Sequence, residues 1–148
     1  MTLGQILSVV GTACLPVVEL KGAIAGARVM ELPMWEVFLL AYFGSILPVP
    51  FILRFTKPLM EHLRQTKTFK RVAHWVEART MRKSSTIRKY SLVGLFLFVS
   101  IPLPTTGVWT GALLASFLGL KMLPSFFVII TGNAIAGLLV VGISYGVF

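Results

Sequence analysis

Residues 90–120 carry no charged side chain, and Pro102, Pro104 and Gly107 interrupt this run of 31 residues at its middle. One membrane crossing takes about 20 helical residues and two crossings about 40 plus a turn, because the hydrocarbon core is about 30 Å thick and a helix rises about 1.5 Å per residue. The run is therefore too short for two crossings. One straight helix is excluded as well, since prolines at the centre remove backbone donors and clash with the preceding turn. What remains is a re-entrant helical hairpin that enters the bilayer and returns to the side it came from. Its non-helical tip must be buried in protein or line a wet cavity.

Composition agrees with lipid as the solvent: 56 % of the 148 residues are hydrophobic and 13 % charged, where soluble domains carry about 25 % charged residues. Residues 37–53 and 122–148 are further uncharged runs and read as spans. The net charge of +9 is concentrated, with eleven of the fourteen lysines and arginines between positions 54 and 89. A basic block between apolar runs is what the positive-inside rule expects of a cytoplasmic loop facing anionic headgroups. It is no argument for nucleic acid as a partner. Within the block, Phe69, Val72, Ala73 and Val76 recur at helical spacing beside Lys70, Arg71 and Arg79, which predicts an interfacial amphipathic helix.

The first third repeats the hairpin plan. An apolar arm covers residues 2–15, Pro16 breaks it, and Glu19-Leu20-Lys21-Gly22-Ala23 opens a second arm that ends near Arg28. A rival reading makes residues 2–18 a short full span. An internal repeat favours the hairpin: Gly22-Ala23-Ile24 corresponds to Gly111-Ala112-Leu113, Pro33 to Pro124, and Gly44-Ser45 to Gly132-Asn133, with glycine intervals of 22 and 21 residues. The basic loop between the halves makes them antiparallel. The predicted fold is a single all-α integral membrane domain over 1–148, an inverted-topology repeat of two re-entrant hairpins each followed by a transmembrane helix. The first repeat covers 1–54, the basic amphipathic loop 55–89 and the second repeat 90–148. Such repeats are typical of transporters, with the site near the midplane where broken helices meet.

Chemistry concentrates in a few side chains. Glu19 and Lys21 are ionisable groups at membrane depth, where such groups are costly and usually face a partner or a wet path. They read either as a proton or cation site beside an anion-binding lysine, or as a salt bridge holding the hairpin tip. At the second tip, free amides opening the second arm offer a positive helix end. Thr105, Thr106 and Thr110 add hydroxyls beside Gly107, and Trp109 is expected to line the path. The alternative is that Pro102, Pro104 and the glycines only make the turn while the threonines satisfy backbone groups. Ser45 and Asn133 are candidate interhelical partners or site ligands. Gly22/Gly26, Gly107/Gly111 and Gly142/Gly146 offer close helix packing.

Enzyme signatures are missing: there is no aspartate, Walker A pattern, Gly-x-Ser-x-Gly elbow or zinc-spaced histidine pair. The expectation is a protein that is not an enzyme and uses no metal or cofactor. Cys14 is the only cysteine, which excludes an intrachain disulfide. No charge precedes Glu19, so the N-terminus lacks the basic region of a signal peptide and reads as retained mature sequence.

At Glu19-Leu20-Lys21-Gly22-Ala23-Ile24, Pro48-Val49-Pro50-Phe51, Ile101-Pro102-Leu103-Pro104 through Gly107, and Trp109-Thr110-Gly111-Ala112, the chain resembles the small multidrug export protein family. That family looks like a compact relative of the DedA superfamily, whose fold has two oppositely oriented re-entrant hairpins. The resemblance implies transport, with undecaprenyl phosphate or another anionic lipid phosphate as the DedA-type cargo. Glu19 matches the acidic residue of the first hairpin, and Pro102 and Pro104 match the second tip. The arginine that DedA proteins place beside that tip is absent, Ser100 and Ile101 standing there, and Lys21 is its replacement candidate. The expectation is a multi-pass inner-membrane protein of bacterial or archaeal type, with both termini outside, residues 54–89 cytoplasmic, membrane lipids as partners and homodimeric assembly. The mechanism expected is that Lys21 and the helix ends beside Thr106 and Gly107 hold the anion, while Glu19 frees Lys21 when protonated and pairs with it when ionised. A proton-coupled multidrug exporter and a non-transporting assembly factor are the alternatives.

Overall fold

The computed structural model describes residues 1–66, 70–71, 84–103 and 106–146, and among these there are helices and no strands. Helix α1 spans Leu3–Cys14, and Thr2 caps it: the Thr2 hydroxyl accepts from Gln5 N at 3.3 Å while Gln5 Oε1 accepts from Thr2 N at 2.8 Å. This reciprocal pair satisfies two amides that the first turn leaves free. Leu15 is extended and ends the helix, as expected before Pro16. Helices α2 (Glu19–Val29), α3 (Met34–Ile46) and α4 (Val49–Arg64) follow, then α5 (Ser84–Ser100), α6 (Val108–Phe117) and α7 (Met122–Tyr145).

Two stretches are long and apolar enough to cross a membrane, Met34–Thr56 with 23 residues and Met122–Tyr145 with 24. At about 1.5 Å per residue both exceed the roughly 30 Å hydrocarbon core. The 12 residues of α1 rise only about 18 Å, less than the thickness of the hydrocarbon core. The helices α2 and α6, with 11 and 10 residues, are shorter still. Large apolar side chains such as Phe43, Phe51, Phe127 and Ile143 lie on the outside, as they would in a chain solvated by lipid.

The two long stretches run antiparallel. Tyr145 Oη donates to Leu32 O at 3.0 Å near one end, Asn133 Nδ2 donates to Ser45 Oγ at 2.8 Å in the middle, and Val49 shares a cluster with Ile129 beyond it. Each end has its own core. Val9, Ala13, Leu20, Ile24, Val37 and Val141 join α1, α2 and α3 to the C-terminal part of α7. Val49, Leu53, Leu95, Val99, Val108 and Ile129 join α4, α5 and α6 to its N-terminal part. The halves make corresponding contacts, α1 packing on α3 as α5 packs on α7.

Two further local features correspond. Helix α2 ends with Glu31 at φ 55°, Glu31 N donating to Arg28 O and Leu32 N to Ala27 O; α6 ends with Gly119 at φ 66°, Gly119 N donating to Ser116 O and Leu120 N to Ala115 O. Both are Schellman closures, whose left-handed residue is usually glycine. Close helix approach is also matched: a Cβ on Gly44 would lie 2.9 Å from Val10 O, and one on Gly132 would lie 3.1 Å from Phe96 O. Gly26 and Gly146 have open space instead, so at those two members of the expected small-residue pairs none of the described helices approaches closely.

Helix reaches into the basic block from both sides. It continues beyond residue 54 to Arg64, with Pro58 inside it, and the described part of α5 already includes 84–89. Lysine and arginine are good helix formers whose long stems let the charged head reach water, so a basic segment next to a span need not leave the helix. The predicted amphipathic helix around Phe69, Val72, Ala73, Val76 and Arg79 lies outside the described residues. Only Lys70 and Arg71 of it are described, both helical and exposed.

Candidate functional site

The two proline-broken tips meet. At the first tip the chain leaves α1 at Leu15, turns through Pro16, Val17 and Val18, and enters α2 at Glu19. Glu19 has φ 51°, a left-handed conformation for a side-chain-bearing residue. Such a residue costs on the order of 1–3 kcal/mol and persists where surrounding contacts hold it. Those contacts come from the second tip. Glu19 is 7 % exposed, and its carboxylate accepts a hydrogen bond from Trp109 N at 3.1 Å, in the first turn of α6. Gly107 precedes that helix, and a Cβ there would overlap the Glu19 carboxylate. A negative group on a helix N-terminus is favoured by the free amides and the helix dipole, and hydrogen bonds to ionised groups are the stronger kind.

Lys21, one turn along from the tip and half-buried, points to the same place. Its Nζ donates to Leu103 O at 2.7 Å and lies 3.4 Å from Thr106 Oγ1. Leu103 O belongs to the irregular tip. Thr106 organises that tip: its hydroxyl donates to Ile101 O at 2.6 Å and accepts from Leu103 N at 3.3 Å. Thr110 closes the other side, its Oγ1 accepting from Gly107 N at 3.0 Å. The Trp109 indole reaches back across the junction, Nε1 donating to Cys14 O at 3.1 Å at the end of α1. A groove of about 330 Å³ opens beside the charges, lined by Val17, Val18, Glu19, Lys21, Gly22 and Pro102.

Glu19, Lys21, Thr106, Gly107 and Trp109, all selected from the sequence, therefore converge at one junction, with Thr110 in the adjoining helix turn. Pro104 and Thr105 lie outside the described residues. Pro16 and Pro102 stand in the non-helical tips. Ser45 and Asn133 stand apart from these charges as a buried interhelical hydrogen bond, Ser45 Oγ itself donating to Tyr42 O at 2.8 Å.

The pairing differs in one respect from the expected one. The partners of Glu19 and Lys21 here are backbone groups of the second tip, Trp109 N and Leu103 O, rather than each other. Tips broken by proline and glycine leave amides and carbonyls without helical partners, and the buried Glu19 and the half-buried Lys21 satisfy one of each. One amide of the helix end expected to hold an external anion, Trp109 N, is taken by Glu19. Sequence reasoning missed the carbonyls of Cys14 and Leu103, for which no side-chain signal exists. Gly107, expected at a helix end that holds an external anion, instead leaves space for the chain's own carboxylate.

A family model described as "putative small multi-drug export protein" matches residues 19–139, a stretch that begins at Glu19 and contains the whole second tip. Neither a curated protein nor a solved structure matches the chain.

Proposed function

The chain belongs to the small multi-drug export protein family, and from this we propose that it is a multi-pass exporter of the inner membrane in which Glu19 is the switching group. The observation that carries the reading is the buried Glu19 on the first turn of α6, beside Lys21 and a groove open at the protein surface. A carboxylate in that position can exchange a proton or a cationic substrate for the α6 amides. Either exchange loosens one tip from the other, which gives the protein two states whose populations a ligand can shift.

We read the halves as an inverted-topology repeat related to the DedA superfamily, with α1–α2 and α5–α6 as re-entrant hairpins. The antiparallel long stretches and the matched closures at Glu31 and Gly119 support this. In this arrangement both termini face outside and residues 54–89 face the cytoplasm. With Cys14 replaced by serine and Ser84→Cys introduced, a membrane-impermeant maleimide should label position 84 only after the membrane is opened. Labelling from the outside of intact cells would reverse the topology. A homodimer would shield the hairpin tips further from lipid.

A second reading is favoured by the position of Lys21: an anionic lipid phosphate displaces Glu19 from the α6 amides and draws Lys21 from Leu103 O. One substitution separates the two. An exporter of cationic compounds should retain at least about half its rate as Lys21→Ala, since the loss of a half-exposed charge is a small term. A lipid-phosphate carrier should lose binding by about tenfold or more, the scale of a charge-assisted contact, together with the phosphate lipids that copurify in mass spectrometry. An assembly factor without transport would tolerate both Lys21→Ala and Glu19→Gln.

A further inference from the structure

Among the described residues four hydrogen bonds tie the tips together, and two of them run through Trp109. Its backbone amide holds Glu19 of α2, and its indole holds the carbonyl of Cys14, the last residue of α1. The other two are from Lys21 Nζ to Leu103 O and to Thr106 Oγ1. Trp109 can serve both arms of the first hairpin only if the Glu19 carboxylate reaches the α6 backbone, and the missing side chain of Gly107 is what admits it.

We propose that Gly107 is a positioning residue whose bare Cα forms the seat of the Glu19 carboxylate, and that this seat with the Trp109 indole is a latch holding the two hairpin tips closed. The proposal rests on the reading of Glu19 as the switching group and specifies the movement: when Glu19 leaves the seat, the first turn of α6 is released, the indole lets go of Cys14 O, and the end of α1 opens. Crowding at Gly107 differs in kind from crowding elsewhere on α6. A Cβ on Gly111 would meet a Val99 methyl group at 2.7 Å, in the hydrophobic core and away from the charges.

The protein carries its own reporter, because Cys14 is its only cysteine. Its thiol is half-buried and donates to Gly44 O at 3.0 Å while its carbonyl is held by Trp109. The rate of Cys14 alkylation by N-ethylmaleimide, followed by mass spectrometry on the purified full chain in mild detergent, therefore reads the latch. Gly107→Ala and Glu19→Asp, which retains the charge but is one methylene too short for the seat, should each raise the rate about tenfold, the scale of one charge-assisted hydrogen bond. Gly107→Ala combined with Glu19→Ala should be no faster than Glu19→Ala alone, since both act through one seat. Gly111→Ala should label at the wild-type rate.

Unchanged labelling in Glu19→Asp overturns the latch, and this arm decides alone if Gly107→Ala does not fold. Additive effects in the double variant, or an equal rise in Gly111→Ala, overturn it as well. Export measured on the same variants keeps the two ideas apart. Faster labelling with unchanged export retains the latch and removes Glu19 from coupling, whereas lost export with unchanged labelling retains the coupling role and removes the latch.

Discussion

Replacing Glu19 by glutamine should lower export by at least about tenfold, the scale set by hydrogen bonds to charged groups, and should flatten whatever pH dependence the remaining transport shows. Glutamine keeps the length and one acceptor oxygen, so the contact to Trp109 N can form in its neutral, weaker version. It brings an NH₂ group into a space bounded by the amides at the start of α6, where donor faces donor. It also cannot take up or release a proton. A lipid-phosphate carrier would retain lipid binding in this variant and lose only the pH response. The measurement is substrate efflux from proteoliposomes across a range of pH, with Glu19→Ala beside Glu19→Gln. Wild-type rate and wild-type pH profile in Glu19→Gln would remove the residue from the mechanism.

The second large effect concerns packing rather than chemistry. Between helices in lipid there is no hydrophobic driving force, so association depends on close backbone approach and a few hydrogen bonds. Gly44 and Gly132 provide that approach at matched places, and the atoms they face include the backbone oxygens Val10 O at 2.9 Å and Phe96 O at 3.1 Å from an added Cβ. Backbone cannot rotate aside as the end of a side chain can. Gly44→Ala should therefore cost about 1–3 kcal/mol, the usual range for an overpacked contact, and Gly132→Ala somewhat less. Gly26→Ala, with nothing within 4 Å, should be neutral or stabilising by about 0.5–1 kcal/mol because alanine is the better helix former. Thermal unfolding in mild detergent reads all three. Equal destabilisation by Gly26→Ala would show that the cost belongs to helix propensity and not to the contact.

The two predictions differ in how far they could be foreseen. Glycine pairs at helical spacing are visible in the chain, yet Gly26 faces open space while Gly44, which belongs to no expected pair, touches α1. Spacing along a helix says which residues share a face. Which neighbour that face meets is a matter of packing, and here α1 lies on α3.

The helical arms were legible because their causes are local. Pro16 ends α1 at Cys14 and Leu15, the acidic Glu19 opens α2, and the apolar run that begins at Met122 forms α7 up to Tyr145. A proline missing its N–H, or a run too short to cross the bilayer twice, acts within a few residues and needs no knowledge of the rest of the chain. The charge block between 54 and 89 was equally plain in composition, but not the continuation of helix α4 to Arg64, since basic side chains are compatible with helix and loop alike.

Glu19, Lys21, Thr106, Gly107 and Trp109 could be selected from residue type alone, because an ionisable group or a run of turn residues inside an apolar chain is costly unless something answers it. What answers it could not be selected. Trp109 N lies 90 residues from Glu19 and Leu103 O lies 82 from Lys21, and both are backbone groups that every residue possesses. A side chain advertises its chemistry in the sequence, whereas an amide or carbonyl becomes a partner only when the fold strips it of its helical bond and brings it within reach. The choice of Trp109 N over Lys21 as the partner of Glu19 therefore belongs to the meeting of the two tips.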